Sequence, residues 1–239
     1  MNGTATGVLH LAPVTLGGDD VRAVLPQGTR AALAALDYFI VENEKSARQF
    51  LKLLPHPRPM RELTISLFDK AGTPAHADEL MRPLLQGRSA AVLSEAGCPA
   101  IADPGALLVA AAHRANLRVV PHVGPSALLL ALMASGFNGQ RFAFHGYLPV
   151  AAPACRAEVL RLERESRERD MTQLFIETPY RSDALLKTLL GCCDGSTRLC
   201  VASDLTLPSE SVSSVTIAQW RRRNTAIGRR PTVFLLHAA

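Results

Sequence analysis

Aromatic side chains are scarce in this chain of 239 residues, which has one Trp, three Tyr and eight Phe. A β-sandwich core and a surface that reads nucleic acid by stacking many bases both need more rings, so this composition disfavours both classes. Hydrophobic residues make up 48% and charged residues 20%, which excludes disorder over most of the chain. The length allows one large domain or two small ones.

The chain also lacks the spacing of a disulfide framework or a metal site. Its five cysteines are odd in number and form no paired C-x-x-C motif, and its seven histidines include no pair four residues apart. We therefore expect no structural disulfide, no bound metal and a reducing, cytoplasmic location.

No segment predicts secretion or membrane insertion. Met1–Gly7 has no basic region that leads into an apolar stretch, so we expect no secretory signal. The longest uncharged stretch, Val119–Gln140, is interrupted by two Pro and three Gly. Its apolar core, Ala127–Ala134, predicts a buried helix and not a membrane span.

The charge is modest and evenly spread. The formal net charge is +5, with +2 before residue 150 and +3 after it, which permits a polyanionic partner without demanding one. One local concentration stands out, since residues 221–230 contain five arginines. Two interpretations stay open for it: a solvated helix end and loop, or a clamp for the phosphates of structured RNA.

Short β-type runs alternate with helical patterns through the first 145 residues, which predicts an α/β domain with a mostly parallel sheet. Gly146–Pro153 is rich in Gly, Pro and Ala and indicates a linker. The remainder is richer in strands and predicts a smaller α+β domain. We therefore place the N-terminal domain at 1–146 and the C-terminal domain at 147–239. The strands predicted for the first part are Val8–Ala12, Tyr38–Val41, Leu63–Phe68, Ala90–Ser94, Arg118–Pro121 and Phe142–His145.

Common nucleotide-binding and hydrolase motifs are missing. The chain has no G-x-G-x-x-G and no Walker lysine loop, and Leu128 stands where a nucleophile elbow needs its second glycine. The fourth predicted strand leads instead into Ser94–Gly105, a loop of small residues that would let a ligand approach the backbone closely. Within it, Asp103 and Pro104 predict a helix cap. A plain tight turn before a capped helix explains the same pattern.

Two more loops of this kind come directly after strands: Val123–Ala127, and Glu177–Arg181 in the second half of the chain. Since they come from two predicted domains, we expect a ligand in the cleft between the domains.

These loops resemble those of the tetrapyrrole methylase superfamily, the class III S-adenosylmethionine (SAM)-dependent methyltransferases. Ser94–Gly105 resembles the family loop S-D-A-G-x-P-x-x-x-D-P-G. Three later segments of the chain resemble further family segments, in the same order. Val120–Gly136 resembles the V-P-x-P-G-P-S-A segment and the helix after it. Gln140–Pro149 resembles the R-F-x-x-x-G-F-L-P stretch, and Phe175–Arg181 resembles F-Y-E-S-P-H-R. The closest resemblance is to the ribosomal RNA small-subunit methyltransferase I branch, which methylates a cytidine ribose 2′-hydroxyl in 16S rRNA.

The resemblance implies two α/β domains, the second with a mixed sheet, a homodimer, SAM as cofactor and small-subunit rRNA as acceptor. A hydroxyl acceptor benefits from a base that removes its proton, and Glu95 and Glu42 are the candidates, with neither preferred. For the acceptor, Arg181 and the run Arg221, Arg222 and Arg223 are the candidates. The residues implied for SAM binding are Pro13, Ser94, Glu95, Ala96, Gly97, Cys98, Ser126, Ala127, Glu177, Thr178 and Pro179.

Some positions depart from the family pattern. The opening loop after Pro13 lacks the family's Gly-Asn pair, Glu42–Lys45 replaces E-D-T-R, and Arg229 replaces the Glu of G-E before the last strand. The loops assigned to SAM match better than those assigned to the acceptor, so the acceptor could have changed. A tetrapyrrole, corrin-type or other small-molecule methyltransferase is therefore one alternative. A non-catalytic dimeric module that binds SAM or a nucleotide is the other.

Overall fold

The computed structural model describes residues 6–223 and 225–238. The expectation that Met1–Gly7 carries no secretory signal therefore falls largely outside the described residues. Contacts between residues divide the chain into two units, Met1–Ser126 and Ala127–Ala239.

The first unit is built on a five-stranded parallel sheet of order β3-β2-β4-β1-β5. Helices pack on both faces, and for this reason β2 and β4 are buried along their whole length. A 3-10 turn, Met60–Glu62, precedes β3. The elements are β1 (Val8–Leu11), α1 (Val21–Val24), α2 (Gln27–Ala34), β2 (Tyr38–Val41), α3 (Glu44–Leu53), β3 (Thr64–Leu67), α4 (Pro74–Leu85), β4 (Ala90–Leu93), α5 (Gly105–Arg114) and β5 (Arg118–Pro121).

The second unit contains a mixed sheet of order β6-β7-β10-β8-β9, in which β6 and β7 are parallel and the other neighbours antiparallel. Its main core includes side chains of α7, α8 and α9. The two sheets confirm the predicted fold class. The elements are α6 (Ala127–Ser135), β6 (Phe142–Tyr147), α7 (Ala152–Arg169), β7 (Thr172–Glu177), α8 (Ser182–Cys192), β8 (Arg198–Ser203), β9 (Ser211–Thr216), α9 (Ile217–Arg221) and β10 (Thr232–His237).

The connection between the units differs from the interpretation of Gly146–Pro153 as a linker. β6 pairs with β7, so the segment joins β6 to α7 within the second unit. The division between units falls earlier, after Ser126 and before α6. Composition could not reveal this, because a strand's partner is chosen by tertiary pairing and not by its own residues.

One helix is more exposed than predicted, and another buries a charged side chain. α6 was predicted to be buried, yet Leu129 is 53% and Met133 79% exposed. On α7, Arg161 forms an ion pair with Glu165. Glu163, on the same helix, is buried and accepts hydrogen bonds from Asp194 N and Thr197 Oγ1. Across the described part of the chain, no helix has both the length and the hydrophobicity to span a bilayer.

Candidate functional site

The loops at the ends of β1, β4 and β5 meet at the carboxyl edge of the parallel sheet. Val14 N donates to Gly97 O at 3.0 Å and thereby joins the loop after β1 to the loop after β4. His122 N donates to Leu11 O at 2.9 Å and joins β5 to the end of β1. Parallel strands end at one edge, and open α/β sheets bind ligands there. The structure therefore places the predicted loops of the first unit together.

Glycines allow these loops to pack closely. Gly97 has φ +72°, and a Cβ there would lie 3.1 Å from Leu16 Cδ2. A Cβ on Gly124 would lie 2.5 Å from Pro13 Cβ, so Pro13 is covered by the loop after β5. Both glycines are explained by backbone conformation and packing. A bulky residue at Gly97 would therefore strain the loop itself.

Within the loop after β4, different residues turn to protein and to solvent. Ser94 Oγ donates to Gly97 O at 2.9 Å, and Cys98 Sγ lies 3.4 Å from Pro125 O. Burial raises the pKa of the Cys98 thiol. Glu95 and Ala96 are exposed. Ser94 and Cys98 therefore hold the loop in shape, whereas Glu95 and Ala96 are accessible to a ligand.

Asp103 stabilises the strained end of this loop. Its Oδ1 accepts hydrogen bonds from Gly105 N at 2.7 Å and from Ala100 N at 2.8 Å. Ala100 and Ala102 have φ of +67° and +63°, a conformation that costs energy in non-glycine residues. α5 begins at Gly105, with Pro104 at the cap position. Asp103 therefore caps the helix by accepting the hydrogen bond from Gly105 N, two residues later in the chain. Its Oδ2 is buried without a hydrogen-bond partner among the described residues, and burial raises the pKa of the carboxyl.

The two candidate bases are neighbours at this edge. Burial raises the pKa of Glu42, and the negative charges of Glu95 and Asp103 raise it further. Lys70 acts in the opposite direction and Asp69 in the same direction as the other acids. Asp69 and Lys70 are not among the site residues predicted from the sequence. Their signal was available, since both come after β3 at the same edge of the sheet.

In the second unit, the predicted loop after β7 is held by a buried carboxylate. Glu177 Oε1 accepts from Thr178 N at 2.7 Å, and its Oε2 forms an ion pair with Arg181 at 2.5 Å. Ser182 Oγ donates to Thr178 O. Glu177 and Arg181 therefore fix the loop, and Thr178 presents the exposed surface, with Pro179 half-buried beside it.

The arginines of residues 221–223 have three different environments. Arg221 donates to Leu190 O and Cys193 O at the end of α8. Arg223 lies over the Trp220 ring and donates to Ser213 Oγ. Arg222 is exposed, with no side-chain hydrogen bond to the described residues. The phosphate clamp stays a prediction. Of the three arginines, Arg222 is the one whose side-chain donors form no hydrogen bond to a described residue.

Ser126 and Ala127 lie at the junction of the two units, with Ser126 ending the first unit and Ala127 beginning α6. No three or more His, Cys, Asp or Glu side chains are grouped to hold a metal ion within residues 6–223 and 225–238.

Comparison with known proteins gives concordant matches. Residues 21–220 match the family model of tetrapyrrole (corrin/porphyrin) methylases. The ribosomal RNA small subunit methyltransferase I of Vibrio cholerae is 32% identical over 96% of this chain and 77% of its own length. That of Xylella fastidiosa is 35% identical over 89% and 73%.

Solved structures share the fold. The methyltransferase CobJ superposes with a TM-score of 0.63 at 20% identity, over 98% of this chain and 95% of its own. Uroporphyrin-III C-methyl transferase from Thermus thermophilus, complexed with S-adenyl homocysteine, gives 0.58 at 16% identity, over 97% of both chains.

Proposed function

Because this chain belongs to the tetrapyrrole (corrin/porphyrin) methylase family, we propose that it is a SAM-dependent methyltransferase whose acceptor is a ribose 2′-hydroxyl of small-subunit ribosomal RNA. The observation that carries the proposal is the match of nearly the whole chain to relatives named as ribosomal RNA small subunit methyltransferase I. The likeness to tetrapyrrole methyltransferases is a likeness of fold alone and favours no acceptor.

The residues at the carboxyl edge of the first sheet fit the cofactor. SAM, when bound, supplies an electrophilic methyl group on a positively charged sulfonium. Glu42, Glu95 and Asp103 concentrate negative charge at this edge, and Asp103 Oδ2 has no partner among the described residues. The exposed part of the loop after β4, Glu95 and Ala96, offers accessible backbone beside these carboxylates. Contacts of the cofactor with Pro13, Ser126, Ala127, Thr178 and Pro179 stay predictions.

For the base we propose Glu42 over Glu95. Both carboxylates lie at the same edge, but Glu95 is exposed and Glu42 is half-buried. Burial and the charges of its acidic neighbours raise the pKa of Glu42. A carboxylate with a raised pKa is a stronger base towards a hydroxyl proton. Glu42 takes the proton as the acceptor oxygen gains the methyl group. Glu95, exposed and close by, keeps the pKa of Glu42 raised through its charge.

An RNA acceptor agrees with where the chain carries its charge. Residues 127–239 contain 14 basic and 10 acidic residues, a formal +4 of the +5 for the whole chain. Lys and Arg that neutralise phosphates supply much of the affinity for nucleic acids. We propose that Arg222 contacts phosphate, while Arg181 and Arg221 act through the loops that they hold.

We also propose that the protein is a cytoplasmic homodimer that uses α6 as its contact. Leu129 and Met133 are one helical turn apart, and both are exposed. An exposed apolar helix face of this kind is a common mark of a protein interface.

The test is transfer of labelled methyl groups from SAM. The purified protein is incubated with small ribosomal subunits from a strain that lacks it, and the RNA is digested to nucleosides. We expect label in a 2′-O-methylated nucleoside, and a loss of rate on the order of 10²–10⁴-fold for Glu42→Gln.

The same assay separates the alternatives. Label in an added uroporphyrin-type tetrapyrrole and none in RNA would assign the small-molecule acceptor instead. SAM binding measured by calorimetry without label in either acceptor would favour a binding module.

A further inference from the structure

An arginine and a tyrosine form an exposed stacked pair beside the loop after β7. The Arg229 guanidinium carbon lies 5.1 Å from the centroid of the Tyr180 ring. Tyr180 belongs to the turn between β7 and α8, and Arg229 precedes β10. Asp183 Oδ1, on α8, accepts a hydrogen bond from Ile227 N at 2.6 Å and so fastens the segment of Arg229 to this turn. The pair is therefore held in place through its backbone.

This pair differs from the other arginine–aromatic pairs of the described chain in the hydrogen bonds that its side chains form. Arg88, over Tyr38, is bonded to Asp37, and Arg198, over Phe137, donates to Gly136 O. The guanidinium of Arg229 has no hydrogen bond or ion pair to any described residue, and neither has the Tyr180 hydroxyl. A planar donor fork is thus oriented by the ring, while none of its donors is bound by a described residue.

The Tyr180 ring is also largely exposed to solvent. Tyr180 is 77% exposed although Arg229 covers one of its faces. The other face of the ring is therefore accessible to a second planar group.

We propose that Tyr180 and Arg229 bind one unpaired nucleotide of the RNA acceptor, with its base stacked on the Tyr180 ring and its phosphate held by the Arg229 guanidinium. An aromatic ring stacks any base, and an arginine fork can hold two phosphate oxygens. A nucleotide satisfies both groups at once. This assignment rests on the proposed function, and it makes the pair a determinant of acceptor binding and not of the chemical step.

The experiment uses the full chain and small ribosomal subunits from a strain that lacks the protein. For Tyr180→Ala we expect the KM for the ribosomal subunit to rise about 5- to 150-fold, the value of one lost base stack. The kcat and the SAM affinity measured by calorimetry should stay close to wild type, and Tyr180→Phe should restore the KM because it keeps the ring. For Arg229→Gln, the slope of log affinity against log salt should fall by about 0.7 for one single-stranded phosphate.

The matched control is Arg198→Gln, which alters another arginine–aromatic pair at the opposite end of the same sheet. It should leave the KM and the salt slope unchanged. A wild-type KM in Tyr180→Ala would overturn the proposal while leaving RNA methylation intact, and a loss of SAM affinity would assign the pair to the cofactor instead. Failure of the wild-type protein to methylate RNA would count against the proposed function itself.

Discussion

At the scale of single residues, the acidic groups at the edge of the first sheet act on each other. The pKa of Glu42 lies above its ordinary value of 4.5 because of burial and the charges of Glu95 and Asp103. If Glu42 is the base, kcat/KM falls as pH falls through this raised pKa. Glu95→Gln removes one negative neighbour, so the acidic limb of the pH profile should move to lower pH. If the acidic limb of Glu95→Gln stays at the wild-type pH when it is measured beside Glu42→Gln, the limb does not report the ionisation of Glu42.

A second residue, Asp103, tests the difference between a cap and a catalyst. Asp103→Ala removes the acceptor for Gly105 N and Ala100 N and frees two alanines held at positive φ. We expect a loss of about 0.5–2 kcal/mol in the free energy of unfolding by urea. Asp103→Asn keeps an acceptor and should lose less. Abolished activity in Asp103→Asn at unchanged stability would show that the carboxylate itself takes part in the reaction.

At the scale of elements, a histidine pair joins β1 to the end of β5. His10 Nδ1 and His122 Nε2 are 2.8 Å apart. Burial lowers the pKa of both from 6.5, and for His10 the neighbouring charges of His122 and Arg118 lower it further. Well above pH 6.5 the pair is neutral in both the folded and the unfolded protein. As the pH falls below 6.5, the unfolded chain binds protons that the folded pair resists, so the free energy of unfolding falls as the pH falls.

The comparison is urea unfolding at about pH 7.5 and about pH 5.5. His122→Gln should lose less stability between these two values than the wild type does. His113→Gln, at an exposed position on α5, serves as the control and should follow the wild type. Equal losses in all three proteins would mean that other groups cause the pH dependence.

The end of α8 depends on Arg221. Its two hydrogen bonds to Leu190 O and Cys193 O satisfy carbonyls that the helix leaves without partners. Arg221→Ala should therefore cost about 1–2 kcal/mol of stability. Arg222→Ala should cost almost none but should reduce the salt slope of RNA binding by about 0.7–0.9. If Arg221→Ala is as stable as the wild type but its RNA binding has a reduced salt slope, Arg221 contacts phosphate instead.

At the scale of the whole molecule, the exposed face of α6 predicts the oligomeric state. Glu at Leu129 or Met133 would place a charge in the proposed contact between two copies, so Leu129→Glu and Met133→Glu should convert a dimer to a monomer. Sedimentation equilibrium measures the mass directly. Val150→Glu changes another exposed apolar residue and should leave the mass unchanged. A monomeric wild type would remove this assignment of α6.

The sequence alone determined the order and nearly the bounds of the strands. Tyr38–Val41 and Arg118–Pro121 agree with their predicted bounds, because runs of apolar β-formers between turn residues are a local property. It also located the loops at the carboxyl edge, since each comes directly after a strand. Four short segments sufficed to recognise the family, which the comparisons confirm.

Only the tertiary structure decided which elements pair and which polar groups are engaged. β6 looks like the last strand of the first sheet, but it joins β7 because pairing depends on partners distant in sequence. The five arginines of residues 221–230 look alike in the sequence. Folding engages Arg221 with carbonyls and Arg230 with Asp204, whereas the side chains of Arg222 and Arg229 have no hydrogen bond to a described residue. A side chain's donors are committed by neighbours that the fold supplies, and no local pattern encodes those neighbours.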